Sequence, residues 1–156
     1  MIITISNIIS AVKRHLSIIG KRLYTKDGKN QFSNITLSSA EDTDILTQYI
    51  TASAQDIEAM LKSLITSSIY SSSSITITIQ NTRGDTDFAT RAKDLSESFI
   101  TLNTVGEYLA MLHPELAEKY KSDARQRMES LIEYVFYKKP PTSSSHDYDD
   151  INGTSN

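Results

Sequence analysis

Apolar residues recur every three or four positions in four stretches of the chain and every second position in a fifth. The first stretch places Ile5, Ile8/Ile9, Val12, Leu16 and Ile19 on one face and predicts a helix over 6–19. Thr4 or Ser6 suits its N-cap, and Gly20 is a natural stop. The second stripe runs Ile45/Leu46, Tyr49/Ile50, Ala54, Ile57, Met60/Leu61 and Leu64/Ile65, predicting a helix over 41–66. Ser38 or Ser39 can cap it, and Glu41, Asp42 and Asp44 lie in its first turn, where the helix dipole favours negative charge. Its small residues Ala52, Ser53 and Ala54 leave room for another helix.

A third helix, over 87–112, follows from Phe88, Ala92, Leu95, Phe99, Leu102, Val105, Leu109 and Leu112. Gly106 lies inside it and marks either a close helix crossing or a weak point. The fourth, over 115–137, carries Leu116, Tyr120, Ala124, Met128, Leu131 and Val135, widened by Ile132 and Phe136. Pro114 stands at its N1 position, where no amide is needed.

The alternating segment Ile75-Thr76-Ile77-Thr78-Ile79 predicts a strand. A lone strand needs a partner, and the candidates are 35–37, the N-terminal 1–5, or the same strand in a neighbouring subunit. The serine-rich run 66–74 breaks the second helix. Between Gly20 and Ala40, Lys26-Asp27-Gly28-Lys29 holds an Asp-Gly turn signal and suggests a small hairpin or ordered loop. Arg83-Gly84-Asp85 forms another turn. The expected fold is mainly α, a small bundle of four principal helices with a long connection between the first two and a short β segment near 75–79. Lys138-Lys139-Pro140-Pro141 stops the last helix, so residues 1–139 form the domain and 140–156 a disordered acidic tail rich in Ser, Asp and Asn.

A chain of 156 residues suits one domain with its own core. It contains no cysteine, which removes disulfides and thiolate metal sites. Met1 to Ile5 lack the basic region and cleavage site of a signal peptide, and no apolar run nears the ~20 residues of a membrane span. A soluble, intracellular protein is therefore expected. The formal charge of −3 equals the contribution of Asp147, Asp149 and Asp150 in the tail. Within the neutral body the signs are segregated. Lys13, Arg14, Lys21 and Arg22 precede the acidic group Glu41, Asp42 and Asp44. Such blocks suit contacts between copies of the protein, and these seven residues are the candidate subunit interface. The alternatives are ordinary solvated faces and ion pairs within one subunit.

Chemical signatures are sparse. His15, His113 and His146 fall in separate segments without a second histidine at helical spacing, so no metal site is expected. Asp147-Tyr148-Asp149-Asp150 begins like a calcium loop, but Ile151 occupies the third ligand position and no Glu closes it. Asn34-Ile35-Thr36 and Asn152-Gly153-Thr154 match a glycosylation sequon that needs a secretory route. No phosphate-binding glycine loop or nucleophile elbow occurs, so neither cofactor nor catalysis is expected. Arg125 and Arg127 could join the N-terminal cations against nucleic acid, but a neutral body lacks the charge of a dedicated binder.

Two segments nonetheless resemble a known family. Val12, Lys13, His15 and Leu16 are followed after a polar loop by Asp42, Ile45, Leu46, Tyr49, Ile50, Ala52, Ile57, Glu58 and Leu61. This order resembles the small head–tail connector (adaptor) proteins of tailed bacteriophages and prophages. Leu95 to Leu112 and Leu116 to Phe136 would supply two further helices of such a bundle, so the likeness spans most of residues 5–139. The connection from Gly20 to Ala40 and the insert from Thr66 to Arg83 are longer than usual for the family. The resemblance implies a structural protein of the virion, assembled as a dodecameric ring beneath the portal. There it would line the DNA channel and present a platform to the next connector or tail-completion protein, with no membrane involved. A helical regulatory or protein-interaction module, contacting DNA or a partner, is the alternative.

Overall fold

Four of the five periodic stretches are helices and the fifth is a strand. The computed structural model describes residues 1–22 and 40–137, excluding the side chains of Lys21 and Arg22. In chain order the elements are β1 (Ile2–Thr4), α1 (Ile5–Arg22), α2 (Ala40–Met60), β2 (Ile65–Tyr70), β3 (Ser74–Ile79), α3 (Phe88–Ala110) and α4 (Pro114–Phe136). The fold is mainly α, with a small antiparallel sheet in the order β1-β3-β2. The expected loop around Lys26–Lys29, the strand candidate at 35–37, the cap at Ser38 or Ser39, the stop at Lys138–Pro141, His146 and the tail all lie outside the described residues.

The helix stripes form the core. Ile5, Ile8, Val12, Leu16 and Ile19 are buried on α1, and Leu46, Ile50, Ala54 and Ile57 on α2. α3 is the central element, packed along α4 and against α2, α1 and β1. That position explains why it buries more than its apolar stripe. Ile100, Ser96, Thr101 and Thr104 are hidden as well. Ser96 Oγ donates to the Ala92 carbonyl at 2.7 Å, which satisfies its hydroxyl inside the core. Between α2 and α3, Asn103 Nδ2 donates to Ser53 Oγ at 3.0 Å.

Gly106 is a close crossing. A Cβ built there would stand 2.8 Å from Lys121 Cγ and 3.3 Å from the Lys121 backbone nitrogen on α4. The Lys121 side chain passes over this point to meet Glu107 at 3.0 Å. Gly106 therefore lets α3 and α4 approach, at the expense of helix propensity.

Three helix ends and the sheet differ from the periodicity. α3 stops at Ala110, not 112, so Leu112 lies past its end and is exposed. α1 runs through Gly20 to Arg22, with Gly20 buried inside its final turn. α2 ends at Met60, not 66, because the chain turns there: Leu64 N donates to the Leu61 carbonyl at 2.8 Å and Leu61 stays fully buried in the turn. Leu61 and Leu64 thus fit a helical stripe without being helical. The remaining difference is the sheet. The single strand expected near 75–79 is the middle of three, paired with β1 as one of the candidate partners and with β2, inside the serine-rich run.

Candidate subunit interface

The seven charged candidates fall at two places. Lys13 is half-buried and Arg14 exposed on α1, while Lys21 and Arg22 belong to its last turn with side chains outside the described set. Glu41 and Asp44 are exposed in the first turns of α2, and Asp42 is half-buried beside them. Asp42 is engaged within the subunit, where its charge is a second cause, after burial, of a raised Tyr108 pKa. Among the described residues, Lys13, Arg14, Glu41 and Asp44 take part in no ion pair. The pairs that do form join Arg83 to Asp85, Lys93 to Glu97, Lys121 to Glu107 and Arg125 to Glu118. None of these four connects α1 to α2.

The outer strand β2 completes a surface that the apolar pattern did not reveal. The three strands of the sheet read Ile-Ile-Thr, Ile-Thr-Ser-Ser-Ile-Tyr and Ser-Ile-Thr-Ile-Thr-Ile, without a charge or a proline. Ile75 and Ile77 point into the core beside Ile3. The opposite face carries Thr76, flanked in register by Ile2 on β1 and Ile69 on β2. These two isoleucines are 58% and 64% exposed, so the row faces solvent.

β2 is the longer outer strand, and its backbone accounting is uneven. Ser71 N donates to Ser74 O at 2.9 Å, closing the hairpin through Ser72 and Ser73. Antiparallel pairs alternate between bonded and non-bonded, and Ile69↔Thr76 is therefore the next bonded pair. The N–H and C=O groups of Ser68 and Tyr70 are thereby turned away from β3, toward the open edge. An irregularity between Ile65 and Ser67 twists one end of that edge, the only blunting device β2 possesses.

Beside this edge runs an open groove lined by Gln55, Glu58, Ala59 and Lys62 from α2 and its following turn and by Ile65 and Ser68 from β2. One carboxylate oxygen of Glu58 is buried without a hydrogen-bond partner, and Lys62 is exposed and in no ion pair among the described residues. Tyr70 stands next to Glu58. Burial first, then the Glu58 charge and a hydrogen bond to that carboxylate, push its hydroxyl up to about 12.

A second groove runs between α3 and α4. At one end Arg83 lies over the rings of Tyr134 at 4.6 Å and Tyr137 at 5.3 Å, and Arg91 over Tyr134 at 5.1 Å. Thr82 Oγ1 donates to the Val135 carbonyl, and Asn81 Oδ1 accepts from the Arg83 and Gly84 amides. The turn at 81–85 is thus pinned to the last turn of α4, where cations favour the helix C-terminus. Asp85, Asp87, Asp94 and Glu133 interleave with Arg83, Arg91 and Arg127 in and around this groove, so it is not a basic surface for phosphates. Arg125 faces Glu118 instead.

The histidines play other parts. His15 packs edge-on against Tyr120 at 5.9 Å, and His113 is the N-cap residue of α4. The described residues contain no group of three or more His, Asp or Glu side chains that could hold a metal ion. No described helix is long and apolar enough to cross a membrane. No family model, curated protein or solved structure matches the chain.

Proposed function

We propose that the protein is a structural, non-catalytic subunit of an oligomeric ring, the head–tail connector of a tailed phage or prophage. The observation that carries this reading is the segregation of unpaired charge. Lys13 and Arg14 on α1, and Glu41 and Asp44 on α2, form no ion pairs within the described subunit although both signs are present. A head-to-tail ring uses two different surfaces of each subunit, and opposite charges on separate helices supply such a pair. In this arrangement the basic segment that includes Lys13, Arg14, Lys21 and Arg22 meets Glu41, Asp42 and Asp44 of the neighbour.

Mainly helical architecture and the resemblance of residues 5–139 to connectors support the same reading. The partners are then further copies of the chain, twelve if the family's ring size applies, with the portal on one side and the next connector or tail-completion protein on the other. DNA passes without sequence recognition. Exposed ion pairs contribute only about 0–1 kcal/mol each, so the portal acts as template and many repeated contacts close the ring.

The test mixes the purified protein with the portal protein encoded in the same genome and images the product by electron microscopy. The expected result is a ring coaxial with the portal. Specific binding of DNA or a small effector, with no portal affinity, would move the assignment to a regulatory module.

A further inference from the structure

The open edge of β2 has the properties of a strand that pairs with itself. Natural edge strands are guarded by charge, proline, bulges or cover. Across 65–79, through both strands of the hairpin and their turn, no residue is charged and none is proline. The outward-facing groups belong to Ser68 and Tyr70, and the exposed Ile69 lies between them. Along this edge the groove carries one acid, Glu58, and one base, Lys62, and neither is in an ion pair among the described residues.

A surface that carries one charge of each sign beside a neutral edge is complementary to its own two-fold image. We propose that, free in solution, two copies of this chain join through antiparallel pairing of their β2 strands about a two-fold axis at Ser68. Each Ser68 faces its counterpart, Thr66 faces Tyr70, and the two three-stranded sheets become one of six. Lys62 of each copy then lies against the Glu58 charge of the other, an opposite-sign pair repeated on both sides of the axis. On the solvent face Ile69 packs over the junction.

This contact goes beyond the ring reading and does not depend on it. A two-fold contact pairs identical surfaces and cannot recur between successive neighbours of a single cyclic ring, whose contacts join different surfaces. The dimer therefore belongs to the unassembled protein, in which it covers an edge otherwise open to indiscriminate strand addition.

Sedimentation velocity of the full chain over a range of concentrations tests it, with Ser68→Pro and Lys62→Glu as variants. Proline removes an N–H that faces away from β3, so the fold tolerates it while the pairing loses a bond. The wild type should dimerise, and S68P should weaken the dimer by about tenfold or more with an unchanged circular dichroism spectrum. K62E should also weaken it, and the exchange E58K/K62E should restore part of the loss. Independently of any variant, hydrogen exchange at the Ser68 and Tyr70 amides should slow as concentration rises. A wild type that stays monomeric, or an assembly of any size unaffected by S68P and without concentration-dependent protection at those amides, overturns the proposal. A dimer lost in S68P yet indifferent to K62E overturns the register. Failure of the portal experiment leaves these outcomes unchanged, so the two readings fall separately.

Discussion

Gly106→Ala sets two opposing effects against each other at the crossing of α3 and α4. Alanine in the interior of a helix is favoured over glycine by about 1 kcal/mol. The added methyl, however, would start 2.8 Å from Lys121 Cγ and 3.3 Å from the Lys121 backbone nitrogen. The near atom belongs to the base of the lysine stem, not to its free end, and the stem is held by the 3.0 Å pair with Glu107. Relief requires α4 to move by a few tenths of an ångström or Lys121 to leave that pair. Overpacking of this kind costs about 1–3 kcal/mol, so the net change should be a destabilisation of about 1 kcal/mol, or about 2–4 °C in melting temperature. Thermal denaturation followed at 222 nm measures it. In a Lys121→Ala background the tightest contact is gone, and the same substitution should become neutral or stabilising, which gives a double-mutant coupling of about 1 kcal/mol. A rise in melting temperature for Gly106→Ala in the wild-type background would mean that the crossing has room for a methyl group.

Thr104 is fully buried with its hydroxyl unpartnered, so Thr104→Val should leave the melting temperature unchanged or raise it by removing an unsatisfied polar group of similar shape. Ile57→Asp should abolish the cooperative melt, since the side chain is 0% exposed and an unpaired carboxylate there costs several kcal/mol. Ile45→Asp, on the same helix but 40% exposed, should fold normally. The Tyr70 hydroxyl, pushed up to about 12 in the folded protein against its ordinary 10.0, contributes stability that is complete below pH 10 and is lost as pH rises toward 12. Denaturant titrations across that window should show the decline in the wild type and a shallower one in Tyr70→Phe.

The helices were legible because the centre of each apolar stripe is buried: Val12, Leu16, Ile50, Ile57, Leu109 and Leu131 all lie in the core, while Ile45, Met60, Leu112 and Phe136 at the stripes' ends and flanks are exposed. Periodicity alone does not separate a helical turn from a tight non-helical one, which is why Leu61 and Leu64 extended the second helix on paper. Nor does it report burial on a second face, where Ser96, Thr101 and Thr104 are hidden because α3 is surrounded. β2 escaped detection for a different reason. Ser67 and Ser68 lack strand propensity, and the strand exists because β3 completes its backbone hydrogen bonds with it. Ile65, Ile69 and Tyr70, followed by a two-serine turn before an unmistakable strand, were the available signal. The charged candidates were readable as residue types, but the groove that sets Glu58 and Lys62 beside an open edge depends on where α2 stops.

If subunits assemble through opposite charges on α1 and α2, a charge-exchange cycle on portal-templated ring formation will report it. Arg14→Glu and Glu41→Lys alter exposed residues that make no ion pair among the described residues, so neither should change the fold. Each substitution alone should lower the yield of closed rings counted by electron microscopy, and the two together should recover it. Rings that form equally well in all four proteins, or a wild type that forms none on its portal, would contradict assembly through these charges.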